Sequence, residues 1–88
     1  MKGMLFFAAL TLLLSSNTGL AGEFRNYCAN GLANYNALVK TDCSVNWTDG
    51  RTGKTYCFSS ENSMEEFLED IVTNTEKATG NFAEIDQD

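Results

Sequence analysis

Three cysteines are the residues of this sequence best suited to chemistry: Cys28, Cys43 and Cys57. Thiolates bind copper(I) and zinc, and the thioether of Met64 is a candidate fourth soft ligand. Fourteen and thirteen residues separate successive cysteines, so the sequence contains no Cys-x2-Cys knuckle. The three cysteines and Met64 therefore form a candidate copper or zinc site that the spacing alone does not define.

Disulfide formation is the alternative chemistry for these thiols. Cysteines pair in oxidising compartments, and three leave one over unless all three act together. In a hairpin whose paired residue numbers sum to 100, Cys43 faces Cys57, and a disulfide would add about 3 kcal/mol of stability. With an odd sum, Phe58 lies beside Cys43, and Cys57 points to the opposite face. Both registers stay open, as does a disulfide that involves Cys28.

Residue types for acid–base catalysis are scarce. The sequence has no histidine, which is the commonest general base. Acidic surroundings raise the pKa of a thiol and make it a poorer nucleophile. Glu65 and Glu66 are typical of a solvated helix face, and no glycine-rich phosphate loop is present. We therefore predict that the protein is not an enzyme.

The first 21 residues have the pattern of a signal peptide. Lys2 precedes an uncharged apolar run over residues 4–14, and Gly19 and Ala21 place small residues before a cleavage point. The run is shorter than the roughly 20 residues of a membrane-spanning helix. We predict cleavage after Ala21 and a periplasmic or secreted protein without a stable membrane anchor.

Residues 22–88 carry five basic and twelve acidic side chains, a formal charge of −7. This charge argues against nucleic acid or anionic lipid as a partner, and it permits a metal ion or a cationic protein. A chain of this length forms one domain with a marginal core, which predicts that a metal or a disulfide stabilises it.

The elements that must position the cysteines follow from the hydrophobic pattern. Alternation over residues 37–47 predicts a strand that places Cys43 on its apolar face, and Asp49, Gly50 and Gly53 predict a turn into a second strand over residues 54–59. A short N-terminal helix, ended by Gly31, is predicted before this hairpin.

Two helices are predicted after the hairpin. The first runs from about Ser63 to Val72, capped by Asn62 or Ser63, and the second reaches Gly80, with Ala78 and Phe82 packing inward. Residues 83–88 are predicted to be a disordered acidic tail. The fold class is therefore α+β: one small domain with a hairpin against one or two C-terminal helices. The predicted core residues are Val45, Trp47, Tyr56, Phe58, Phe67, Leu68 and Ile71.

The residues 53–62, Gly-Lys-Thr-Tyr-Cys-Phe-Ser-Ser-Glu-Asn, are followed by Glu-Phe-Leu-Glu-Asp at 66–70. This order resembles the YHS domain family, which is close to the TRASH metal-binding domain. The resemblance spans residues 41–82, after an N-terminal segment at 22–40. It implies a strand that ends in aromatic residues, a polar turn, and a helix with a fixed phenylalanine.

The same resemblance implies a metal site and also a departure from it. Cys43 matches the family's first-strand cysteine, whereas Ser59 and Ser63 occupy the positions of two further ligand cysteines in many members. This is the pattern of the cysteine-poor branch. We expect an exported YHS-like domain that binds copper or zinc through cysteine thiolates, or alternatively a disulfide-stapled interaction module that binds a protein partner without metal.

Overall fold

Helices precede and follow a single β-hairpin in the computed structural model, which describes residues 22–85. The chain forms a mixed α+β domain, which confirms the predicted fold class. The predicted signal peptide and residues 86–88 lie outside the described residues. The elements, in chain order, are a short turn at Glu23–Asn26, helix α1 at Ala29–Tyr35, strands β1 at Val45–Thr48 and β2 at Thr55–Phe58, and helices α2 at Glu61–Leu68 and α3 at Ile71–Ile85.

The hairpin pairs Val45 with Phe58 and Trp47 with Tyr56, so paired residue numbers have an odd sum. Gly53 has φ 79°, a left-handed conformation that glycine adopts without strain, and its N–H donates to the Asp49 carbonyl oxygen at 2.7 Å. The Trp47 and Tyr56 rings stack with centroids 6.3 Å apart on the core side of the hairpin.

Strand β1 is shorter than predicted, because it begins at Val45 and not at residue 37. Cys43 has φ 64°, which interrupts an extended strand. Local side chains hold this turn: the N–H of Cys43 donates to Thr41 Oγ1 at 3.1 Å, and that of Ser44 donates to Asp42 Oδ1 at 3.0 Å. Such side-chain acceptors compete with a strand ladder for backbone N–H groups.

Helix α1 passes through Gly31, which was predicted to end it, and stops before Asn36 at φ 50°. A Cβ at Gly31 would lie 3.2 Å from Val39 Cγ2 and 3.3 Å from the Ala37 carbonyl oxygen. Gly31 therefore lets the segment after the helix fold back closely onto it.

The single helix predicted over residues 63–72 is in fact two helices. Ser60 caps α2 by accepting the Ser63 N–H at 3.1 Å, in place of the predicted caps Asn62 and Ser63. Asp70 starts α3, since its carboxylate accepts the Thr73 N–H at 3.3 Å. Val72, the last residue of the predicted single helix, follows the turn between the two helices and is 54 % exposed.

Helix α3 continues through Gly80, where the second helix was predicted to end, as far as Ile85. Ala78 is buried, and both Phe82 and Ile85 pack against the core. The prediction of disorder from residue 83 is therefore wrong for residues 83–85, because Ile85 anchors this last turn.

The core lies between the hairpin and the three helices. Of the predicted core residues, Tyr56, Phe58 and Phe67 are buried, Val45, Trp47 and Leu68 are half-buried against the core cluster, and Ile71 is half-buried at the start of α3. The structure adds residues from α1 and its N-terminal flank: Cys28, Ala29, Leu32 and Ala33. Helix α1 packs mainly against α3.

A polar chain ties the three helices together. Glu66 of α2 accepts hydrogen bonds from the buried Asn30 at 2.8 Å and from the Tyr35 hydroxyl at 3.1 Å. Asn34 donates to Asn30 at 2.6 Å and accepts from Lys77 of α3 at 2.9 Å. The hydrogen bond to the Glu66 carboxylate, with its negative charge, raises the pKa of Tyr35.

Candidate functional site

A disulfide joins Cys43 and Cys57, whose Cα atoms are 4.7 Å apart. Both residues are buried. Among the pairings left open by the sequence, the structure therefore has Cys43–Cys57, with Cys28 as the free thiol. The disulfide fixes the start of the hairpin to its second strand.

This disulfide forms in the odd register, which was expected to turn the two cysteines apart. That expectation is wrong because Cys43 is not part of the strand. Cys57 lies opposite Asn46, and the Asn46 side-chain amide donates to the Cys43 carbonyl oxygen at 2.8 Å. The left-handed turn at Cys43 thus returns its side chain to the face of the hairpin that carries Cys57.

Cys28 lies immediately beside this pair, joined to Cys57 by an isolated parallel β-bridge. Its sulfur accepts the Ser59 N–H at 3.3 Å, and its thiol donates to Ser59 Oγ at 3.6 Å. The side chain is only 1 % exposed. Burial keeps this thiol away from solvent oxidants and electrophiles.

Ser59 and Ser63 lie together, with their Oγ atoms 3.2 Å apart. These are the positions that the family resemblance assigns to ligand cysteines. In the structure Ser59 is hydrogen-bonded to Cys28, and Ser63 contacts Ser59. Neither serine is a thiolate, so the arrangement provides hydrogen-bonding groups where the resemblance implies soft ligands.

The four predicted metal ligands have three different environments. Cys43 and Cys57 form the disulfide. Cys28 is hydrogen-bonded to Ser59, and Met64 is half-buried against the apolar core. Within residues 22–85, no group of three or more His, Cys, Asp or Glu side chains has an arrangement suited to a metal ion. In this oxidised form the predicted four-ligand set is not assembled.

Gly22 and Asn26 complete the surroundings of the disulfide, and sequence reasoning missed both roles. The Gly22 N–H donates to Asn26 Oδ1 at 2.6 Å, and this oxygen lies 3.6 Å from Cys57 Sγ. A Cβ at Gly22 would overlap Cys57 Sγ and approach Cys43 Sγ to 3.4 Å. Gly22 immediately follows the predicted cleavage point, and the residue pattern around it carries no signal for contact with a disulfide.

The hairpin turn holds a buried charge at the opposite end from the disulfide. Asp49 is 3 % exposed, and its carboxylate accepts from Arg51 Nε at 3.1 Å, from Nη2 at 2.9 Å and from the backbone N–H at 2.8 Å. These hydrogen bonds hold the pKa of Asp49 below its ordinary value, and those from the Arg51 guanidinium have the largest effect. Nearby, burial raises the pKa of Tyr56.

Comparison with family models, with curated proteins and with solved structures finds no match to this chain. The resemblance to the YHS family therefore stays a sequence-based expectation. Among residues 22–85, no helix has both the length and the apolar character needed to cross a membrane. The disulfide is consistent with an oxidising compartment.

Proposed function

We propose that this protein is an exported, disulfide-stapled interaction module that works without a metal ion or a catalytic step. The Cys43–Cys57 disulfide is the observation that carries the proposal. It uses two of the three thiols for stability, and the third is buried and hydrogen-bonded. A disulfide that closes a loop of this length adds about 3 kcal/mol in the chain-entropy model, which compensates for a small core.

The charge distribution supports a cationic protein as the partner. Glu61, Glu65 and Glu69 are exposed and spaced four residues apart, so they form one acidic stripe along α2. Residues 22–88 carry a formal charge of −7, which favours encounter with a basic surface. Association should weaken as salt increases, since exposed charges are screened within about 8 Å at physiological ionic strength.

Intact mass and a thiol count on the exported protein test the first part of the proposal. We expect an N-terminus at Gly22, one disulfide, one thiol that reacts only after denaturation, and no bound metal. Stoichiometric metal together with three reactive thiols after metal release would refute it.

A matched pair of variants tests the partner surface. Glu65→Gln/Glu69→Gln removes two of the three charges of the stripe on α2, and Glu76→Gln/Glu84→Gln removes the same charge from exposed positions on α3. Crosslinking in the exported fraction, followed by mass spectrometry, should identify a basic protein that the first variant loses and the second keeps. Equal loss from both variants would mean that net charge, and not the stripe, governs association.

Copper or zinc binding by the reduced protein is the second candidate function. The favouring observation is the backbone pairing of Cys28 with Cys57, which is joined to Cys43 by the disulfide. Reduction would free two thiols beside the thiol of Cys28, which gives three at one place. Titration of reduced protein with copper(I) against a competing chelator measures this affinity. Cys43→Ser should abolish tight binding, whereas Met64→Leu, a volume-conserving change, tests whether the thioether is a ligand. Affinity no greater than that of an unstructured thiol peptide would exclude this function.

A further inference from the structure

Among the three cysteines, Cys28 has no part in the disulfide-stapled module proposed above. It is the free thiol, it lies just before α1, and it is buried in the core cluster. A thiol reacts with a neighbouring disulfide by displacing one of its two sulfurs, and this exchange needs no external oxidant. Burial keeps solvent reagents from Cys28, but it does not separate Cys28 from the Cys43–Cys57 disulfide.

The backbone brings Cys28 to Cys57 as closely as a disulfide requires. The two residues form an isolated parallel β-bridge, and neighbouring chains in a sheet lie about 4.7–4.9 Å apart. Disulfides join residues whose Cα atoms are roughly 4.4–6.8 Å apart. The Cys28 sulfur is held at the end of β2, where it accepts the N–H of Ser59, two residues beyond Cys57. Cys57 therefore has two neighbouring cysteines and is bonded to Cys43.

The present partner of Cys57 lies in a strained turn. Cys57 belongs to the regular strand β2, whereas Cys43 precedes β1 and has φ 64°. A non-glycine residue keeps this conformation only where its surroundings enforce it, and the disulfide is one such constraint. Asp42 and Ser44, on either side of Cys43, are exposed. Breaking the bond to Cys57 would therefore bring the Cys43 thiol within reach of solvent.

We propose that Cys28 displaces Cys43 from Cys57, which makes the disulfide a switch between two pairings. The Cys28 sulfur attacks Cys57 Sγ, the bond from Cys57 to Cys43 breaks, and a bond from Cys28 to Cys57 forms. The proton that leaves Cys28 ends on Cys43. One disulfide and one thiol remain, so no oxidant or reductant is consumed. The exchange moves the thiol from the core to a segment with exposed neighbours.

Two opposing effects set the balance between the pairings. The disulfide from Cys28 to Cys57 closes the longer loop, which the chain-entropy model makes the more stabilising one. The exchange also breaks the hydrogen bonds between Cys28 and Ser59. The Cys43–Cys57 pairing keeps these bonds, which accounts for its presence in the structure.

Two serine variants test whether the fold directs Cys28 to Cys57. Cys43→Ser retains Cys28 and Cys57, and Cys57→Ser retains Cys28 and Cys43, so both lose the same disulfide. Each variant is reduced and equilibrated with a glutathione redox buffer, and mass spectrometry measures the equilibrium constant for its internal disulfide. The constant for Cys43→Ser should be about tenfold the larger, whereas loop length alone would make it roughly threefold the smaller. An equal or smaller constant for Cys43→Ser would overturn the proposal.

Exchange in the wild-type protein is tested by trapping the displaced thiol. Uncatalysed disulfide rearrangement takes minutes to hours, so iodoacetamide stays with the native protein for about a day, far longer than a thiol count. Peptide mapping without reduction should find the label on Cys43, together with a disulfide from Cys28 to Cys57. The control Cys28→Ala has no attacking thiol and should take up no label. Label on Cys28 or Cys57 of the wild type, or no label at all, would contradict the exchange.

Discussion

Residues 22–44 and residues 45–85 are held in place by different means. Every non-glycine residue with positive φ in the described chain lies in the first region, and these are Phe24, Arg25, Asn26, Asn36 and Cys43. The second region has regular strands and helices, with apolar side chains at the expected spacing. Apart from α1, which packs in the core, the first region is held mainly by individual tertiary bonds and the disulfide, and the second by ring packing in the core.

The largest expected effect comes from removing a ring at the centre of the second region. Phe67 is fully buried, with the Phe58 and Tyr56 rings 5.3 and 5.7 Å away. Phe67→Ala should lower the free energy of unfolding by about 3–5 kcal/mol, which nearly abolishes folding in so small a domain. Chemical denaturation measures the loss. Val72→Ala, on the exposed side of α3, is the control and should change it by less than about 1 kcal/mol. A Phe67→Ala protein as stable as wild type would mean that this ring does not organise the core.

Loss of the disulfide should weaken the first region more than the second. Cys43→Ser should cost about 2–5 kcal/mol and leave Cys57 as a second free thiol. Hydrogen exchange should accelerate most over residues 22–44, while the amides of α2 stay the better protected. Cys28→Ala keeps the disulfide and serves as the control. If exchange rises equally in both regions, the two are one cooperative unit and the contrast drawn between them fails.

A substitution at Gly22, beside the disulfide, should lower the stability by a smaller amount. The control is a substitution at Gly80 that should raise the stability. A Cβ at Gly22 would overlap Cys57 Sγ, so Gly22→Ala should destabilise the protein by about 1–3 kcal/mol through overpacking. Gly80 lies in α3 with nothing within 4 Å of an added Cβ, so Gly80→Ala should stabilise it by roughly 0.5–1 kcal/mol. Thermal unfolding of both variants compares the signs. If Gly22→Ala left the stability unchanged, the segment that contains Gly22 would not be packed against the disulfide.

The same contrast explains what the sequence could predict. The hairpin and the burial of Phe67 follow from short-range periodicity, which the second region obeys. The split between α2 and α3 was missed because Ile71 and Val72 continue the apolar spacing, while the cap at Asp70 competes with it. Adjacent acidic residues such as Glu69 and Asp70 are as typical of a solvated helix face as of a helix cap.

The candidate site was harder to predict because it depends on the first region. Cys43 pairs with Cys57 only because a left-handed residue turns the chain before β1, and no periodic pattern signals such a residue. Thr41 and Asp42, which accept the backbone N–H groups of that turn, were the available signal. They are typical turn-forming residues within what otherwise looks like a strand.

The smallest expected effect compares an aspartate from each region through the pH dependence of stability. The pKa of Asp49 is lowered mainly by the Arg51 side chain, and that of Asp42 by the Ser44 backbone N–H. A carboxyl whose pKa is lower in the folded protein stabilises it fully above the unfolded value, near 4. This stabilisation is lost as the pH falls through the folded pKa. Asp49→Asn and Asp42→Asn should therefore each flatten the loss of stability below about pH 4.

Salt distinguishes the two aspartates. The Asp49 contribution includes attraction to a cation, so part of it should disappear at high salt, whereas that of Asp42 comes from backbone hydrogen bonding and should persist. Urea denaturation of the two variants between pH 2 and 7, each at roughly 0.05 and 1 M salt, gives four profiles of stability against pH to compare with wild type. Arg51→Gln should move the Asp49 profile toward that of Asp49→Asn and leave the Asp42 contribution unchanged. If salt changes the stability contributions of Asp49 and Asp42 equally, the ion pair of Asp49 with Arg51 adds nothing beyond the hydrogen bonds of the turn. The carboxylates of the two regions would then stabilise the fold in the same way.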